Sequence, residues 1–137
     1  MNHDDCIFCK IVKGEIPSKI IYEDETNIAF LDIFPVSKGH TIVIPKEHYK
    51  NLETLPDEEI TELFMTVKKV AINIHEKLKI DGYNIVQNNF PAAGQAVDHT
   101  HIHIIPRNEG DNKIKLNLPK KQAPDSELDE VFKKLKM

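Results

Sequence analysis

The stretch Val97-Asp98-His99-Thr100-His101-Ile102-His103-Ile104-Ile105-Pro106 decides how this chain folds, because histidine recurs at every second position from 99 to 103. Side chains of a strand point to opposite faces in turn, so an extended reading of 97–106 puts His99, His101 and His103 on one face. Thr100, Ile102 and Ile104 then take the other. The three imidazoles would stand in a row about 6.5–7 Å apart, leaving the isoleucines free to lie on a helix. A helix with a matching face lies upstream. From Pro56, apolar residues recur at Ile60, Leu63, Phe64, Val67, Val70, Ala71, Ile74 and Leu78. Pro56 suits the first helical position, and Asp57, Glu58 and Glu59 favour the positive end of the helix dipole. Asp81-Gly82 stops the helix, and Met65 and Ile72 are read as widening its core face.

Around this pair, residues 19–23 and 26–33 are β-rich and parted by Glu23-Asp24-Glu25, which predicts a hairpin. Residues 40–44 and 83–88 predict two more strands, residues 6–12 a turn or two of helix, and residues 126–135 a terminal helix capped by Ser126. Antiparallel strands with one long helix, rather than alternating βαβ units, predict an α+β fold. Residues 1–107 are expected to form the domain core, and 108–137 an extension packed on it.

The composition narrows the function. A chain of 137 residues that is 40% hydrophobic fills one core without cross-links. No run approaches the roughly 18–20 apolar residues of a membrane span. Met1-Asn2-His3-Asp4-Asp5 lacks the basic and apolar regions of a secretory signal, so a soluble, cytoplasmic protein is expected. The basic side chains are all Lys except Arg107, and the net charge is −4. Nucleic acid is therefore a poor partner, since it favours clustered cations and the Arg fork.

Any one histidine on a strand is ordinarily a surface group or a hydrogen-bonded core group. Three neighbours that repel when protonated point instead to shared work on an anion, a metal, or both. The preceding Asn88-Asn89-Phe90-Pro91-Ala92-Ala93-Gly94-Gln95-Ala96 is rich in small residues and lets backbone N–H groups approach a phosphate. Amides such as Asn88 and Gln95 would add donors. Cys6-x-x-Cys9 taken alone is ambiguous between zinc, redox chemistry and coincidence, and zinc would need two further ligands.

With His99 to Ile105 as its signature, the chain resembles the histidine-triad (HIT) family. The resemblance extends to Cys6-Ile7-Phe8-Cys9-Lys10-Ile11, Glu15-Ile16-Pro17-Ser18-Lys19, Ala29-Phe30-Leu31-Asp32-Ile33, residues 38–48 and Ala93-Gly94-Gln95, in the family's order and spacing. It implies a five-stranded antiparallel sheet with one long helix and a short N-terminal helix, in a homodimer. It also implies hydrolysis or nucleotidyl transfer at the α-phosphorus of a nucleoside phosphate. His101 would be the nucleophile, His103 would stabilise the phosphate, and His40 would support them. Asn88, Gly94 and Gln95 would complete the phosphate site and Asp32 would hold ribose. Ile7, Phe8, Ile11, Phe30, Ile33 and Ile42 would line a purine-preferring base slot, although ordinary core packing would use the same residues.

Zinc-bearing members imply a closed structural site of Cys6, Cys9, His48 and His99, with a metal-free hydrogen-bond relay as the alternative. His3 and His75 fit no motif and are read as surface residues. Ala96 stands where many relatives carry a hydroxyl, which predicts an altered leaving-group preference. Pro106-Arg107 resembles the branch that cleaves dinucleoside polyphosphates, and Asn88 the phosphoramidase branch. A non-catalytic nucleotide-binding module is the rival from another class. A uridylyltransferase is disfavoured by His103 and by the short chain.

Overall fold

The computed structural model describes residues 3–115 and 118–137. Five strands, β1 (Ile20–Glu23), β2 (Asn27–Leu31), β3 (Thr41–Pro45), β4 (Gly82–Val86) and β5 (Ile102–Arg107), form one antiparallel sheet in the order β1-β2-β3-β5-β4. Helix α2 (Asp57–Leu78) covers one face and the short α1 (Ile7–Val12) the other. The predicted α+β class and the hairpin of β1 and β2 are both observed.

Alternation along the strands sorts the core into two layers. Ala29, Val43, Ile102 and Ile104 pack with Leu63, Val67, Val70, Ala71 and Ile74 of α2. Ile28, Phe30, Ile42 and Ile44 pack with Phe8 and Ile11 of α1. Each such side chain stabilises the fold by about 1.5–3 kcal/mol when fully buried. Because both faces are covered, β2 and β3 are apolar nearly throughout. His103, paired in register with Ile42, falls on the α1 face, opposite Ile102 and Ile104.

Three expectations change. The last strand starts at Ile102, so His99 and His101 precede it. Thr100 is the reason: its backbone N–H and its Oγ1–H both donate to the Tyr49 carbonyl, at 2.6 and 2.9 Å, which takes the amide out of the sheet ladder. Phe64, Met65 and Ile72 do not join the core; they are 43%, 63% and 44% exposed. At about 100° per residue Phe64 lies on the flank of the Leu63–Val67–Val70–Ile74 stripe, and Met65 and Ile72 lie on the opposite face of α2. Ser126 does not cap the terminal helix α3 (Asp125–Leu135); Pro124 precedes it, with its constrained φ of −60° supplying the extended entry. Every residue of α3 is exposed. The segment just beyond β5 is anchored more firmly, because Arg107 donates to both carboxylate oxygens of Asp111, to Asn84 Oδ1 and to the Ile114 carbonyl.

Candidate active site and metal centre

The histidines divide into two groups on the α1 side of the sheet. In the first, Cys6, Cys9, His48 and His99 bring their donor atoms within 4.8 Å of one another. Nδ1 of His99 lies 3.5 Å from the Sγ of both Cys6 and Cys9, and Nδ1 of His48 lies 3.3 Å from Cys9 Sγ. Tetrahedral zinc with bonds of about 2.3 Å to sulfur and 2.0–2.1 Å to nitrogen separates such donors by roughly 3.5 Å, so the four residues fit the ion. Second-sphere bonding also fits. His99 Nε2–H donates to the Pro45 carbonyl at 2.8 Å, which leaves the Nδ1 lone pair facing the sulfurs. Burial holds His99 neutral, with its pKa lowered to about 4, and pushes the Cys9 thiol up to about 11 in the absence of a cation.

The second group is a chain of imidazoles whose protons are set by their partners. His101 Nδ1 lies 2.7 Å from the His99 carbonyl, which can only accept, so Nδ1 carries the proton and Nε2 keeps its lone pair. Val36 N–H donates to His40 Nδ1 at 3.0 Å, so neutral His40 carries its proton on Nε2 and directs it at His103 Nδ1, 2.8 Å away. His103 is thereby protonated on Nε2. Desolvation lowers the pKa of His40 and His101, and that of His103 to about 4, so all three are neutral at pH 7. The result is a nucleophilic Nε2 on His101 beside an Nε2–H donor on His103, with ring centroids 5.0 Å apart.

Asp32, His40 and His103 also gather donor atoms within 4.8 Å. The Val36 amide argues against a metal there: it occupies Nδ1 of His40, and a ligating Nε2 would have to give up its only proton. Asp32 accepts from Phe34 N–H at 2.8 Å and lies 3.5 Å from His40 Nε2, keeping lone pairs for another donor.

The remaining expected site residues sit around this pair. Phe8 presses its ring against His101 at a centroid distance of 5.1 Å, and Phe8, Ile11, Phe30 and Ile42 are buried together. Ile7 and Ile33 are exposed, Ile33 at 79%. Gln95 is spent within the protein. Its Nε2 donates to the Lys50 and Val97 carbonyls at 2.6 and 3.0 Å, and its Oε1 accepts from Phe90 N–H. The amides of Gly94 and Gln95 close the loop's own turn onto Pro91 and Phe90. The amide of Ala96, like those of Asn88, Asn89 and Ala92 in this small-residue loop, donates to no carbonyl among the described residues. Asn88 reaches the Gly94 carbonyl at 3.5 Å, and Gly94 holds φ +93°, which a side chain would strain.

Three contributors lay outside the sequence reading. Val36 and Tyr49 act through backbone groups, which no side-chain pattern reveals. His3 is not a free surface residue: its ring stacks on His48 with centroids 3.5 Å apart. Its only signal in the sequence is its place three residues before Cys6. His75 is exposed, as read, with its ring near Tyr83.

Comparison with known proteins places these features in context. A family model described as the HIT domain matches residues 13–110. An uncharacterized HIT-like protein of Methanocaldococcus jannaschii is 50% identical over 131 residues, covering 96% of this chain and 98% of that protein. An adenosine 5'-monophosphoramidase of Saccharomyces cerevisiae is 39% identical over 130 residues, covering 95% of this chain and 80% of its own length. A solved structure from Streptococcus mutans is similar with a TM-score of 0.91 at 40% identity, over 98% of this chain and 85% of that one.

Proposed function

Because this chain belongs to the HIT domain family, we propose that it hydrolyses nucleoside 5'-phosphates at the α-phosphorus, with purine nucleoside phosphoramidates as its substrate class. The observation that carries the reading is the tautomer of His101, whose Nδ1–H is held by a carbonyl and whose Nε2 is left free beside the His103 donor.

In the proposed cycle His101 Nε2 attacks phosphorus, and an N–P bond forms as the bond to the leaving amine breaks. The amine departs with a proton from solvent. The imidazole ring turns cationic, and Nδ1–H keeps its bond to the His99 carbonyl. Water then attacks phosphorus and gives up one proton to solvent, the N–P bond breaks, and nucleoside monophosphate leaves with His101 neutral again. Throughout, His103 Nε2–H and the Ala96 amide stabilise charge on the phosphoryl oxygens. Asn88, Gly94 and Gln95 shape that loop, Asp32 accepts from ribose hydroxyls, and the base rests among Ile7, Phe8, Ile11, Phe30, Ile33 and Ile42.

Phosphoramidates are favoured over dinucleoside polyphosphates because Arg107, the cation that would suit a polyphosphate, is already paired with Asp111 and bonded to Asn84. The named activity of the yeast relative agrees. Cys6, Cys9, His48 and His99 would hold zinc, which would supply a structural cross-link with no open position for chemistry. Reduced thiols suit a reducing compartment such as the cytoplasm. A homodimer is supported by apolar Phe64, Met65 and Ile72 on α2, by exposed Tyr83 and Ile85, and by the open edge of β4.

The test is turnover of a panel of AMP phosphoramidates and dinucleoside polyphosphates, with acid-quenched trapping of the phosphorus-bound histidine. Wild type should cleave the phosphoramidates fastest, and His101→Ala should lose both turnover and the trapped adduct. Retained turnover in His101→Ala would refute the mechanism. Binding without cleavage or adduct in wild type would leave the nucleotide-binding module instead.

A further inference from the structure

His3 belongs to neither the phosphate site nor the four metal donors, yet it touches two of the donor residues. Its ring lies face to face on His48, with centroids 3.5 Å apart and planes within 17°. Its carbonyl accepts the Cys6 N–H at 3.0 Å, closing the turn that leads into α1. His3 Nε2 is buried and has no hydrogen-bond partner. With Nε2 unpaired, the ring is held by its stack on His48 and not by polar bonds. It is free to swing without breaking one.

What lies outside that ring gives the placement its meaning. A cleft of about 1400 Å³ opens onto His3, Cys6 and His48. Cys9 and His99 lie behind them, buried. The cleft wall carries Asp5, Glu47 and Asp98 against Lys50, with Asp4 paired to Lys13, a balance that attracts hydrated cations and raises their local concentration. A closed four-donor site exchanges its ion only by freeing a ligand, and the imidazole that faces this cleft is His48. A ring stacked on His48 opposes that movement.

We propose that the acid-lined cleft is the route by which the divalent metal enters and leaves the Cys6, Cys9, His48 and His99 site, and that the His3 ring is its inner gate. The inference rests on the zinc reading of those four residues. His3 acts here as a positioning residue: it holds a ligand and touches no reacting atom.

Zinc-loaded protein mixed with excess chromogenic chelator reads the release rate directly, and metal analysis beforehand gives the stoichiometry. His3→Ala should release zinc about 10-fold faster, in the range found for residues that orient metal ligands. His3→Phe should restore slow release, because a flat ring still stacks on His48. His75→Ala, an exposed histidine outside the cleft, should match wild type, and circular dichroism of each variant checks that the fold is retained. A variant carrying Asp5→Asn and Glu47→Gln should take up zinc more slowly, with a weaker dependence on salt. Equal release by His3→Ala and wild type would overturn the gate. Uptake unchanged by the loss of charge would overturn the route. A wild type that binds no zinc would overturn the metal reading itself, a result distinguishable from the other two by the stoichiometry.

Discussion

Burial makes His103 a proton sensor for stability. Its folded pKa of about 4 lies below the ordinary 6.5, mainly through desolvation and then through its neighbours His101 and His40. Between those values the unfolded chain binds the proton that the folded chain refuses. The contribution is therefore complete above pH 6.5 and is lost as pH falls toward 4. With allowance for its partly exposed ring, His103 should cost about 1–2 kcal/mol at pH 5 relative to pH 7.5, or about 3–8 °C in Tm. Calorimetry at the two values measures it, and His103→Asn should flatten the slope; an equal slope in the variant would dismiss His103 as the source. At this scale the residue types were legible in the sequence. Three histidines at every second position announced the site, and Cys6-x-x-Cys9 announced possible ligands. Tautomers were not legible, because the His99 carbonyl and the Val36 amide that set them are backbone groups brought in by the fold.

Among the elements, β3 and its approach carry the tightest constraint. Gly39 holds φ +91°, which strains any side chain, and a Cβ there would also displace the tip of half-exposed Leu78. Gly39→Ala should destabilise by about 1–3 kcal/mol through its backbone, read as a lower urea midpoint with unchanged m-value. A midpoint equal to wild type would mean that the backbone there accepts a side chain at no cost. The strands and the long helix were readable because each has its own period, two for β5 and about 3.6 for α2. The starting point of β5 was not. Nothing local distinguishes His101 from His103; the difference is the Tyr49 carbonyl, which captures Thr100 and ends the ladder. The predicted row of imidazoles consequently breaks. His99 turns to the sulfurs, while His101 and His103 stay paired at 5.0 Å.

For the molecule as a whole, the proposed zinc ties α1, the exit of β3 and the entry to β5 at one point. Chelation should lower stability by about 3 kcal/mol, near 10 °C in Tm, when the ion is present at 100 times its Kd. Differential scanning with and without chelator tests this, and coincident melts would remove the metal from the account. The proposed homodimer should appear as twice the 15.7 kDa chain mass in light scattering. Ile85→Lys on β4 should shift it toward monomer, whereas a wild type already monomeric would leave the α2 flank without a partner. The outward turn of Phe64 illustrates what periodicity cannot decide: an apolar residue on the flank of a stripe reads alike whether core or a second surface covers it, whereas Met65 and Ile72 stand opposite the stripe. The sequence by itself determined the fold class and the residue types of both sites, because alternation, helical period and ligand spacing are local properties of the chain. Only the tertiary structure decided that Gln95 and Arg107 are already spoken for and that His3 covers His48. Each depends on a contact between distant segments, Gln95 with Lys50, Arg107 with Asn84 and His3 with His48, and that partner is set by packing.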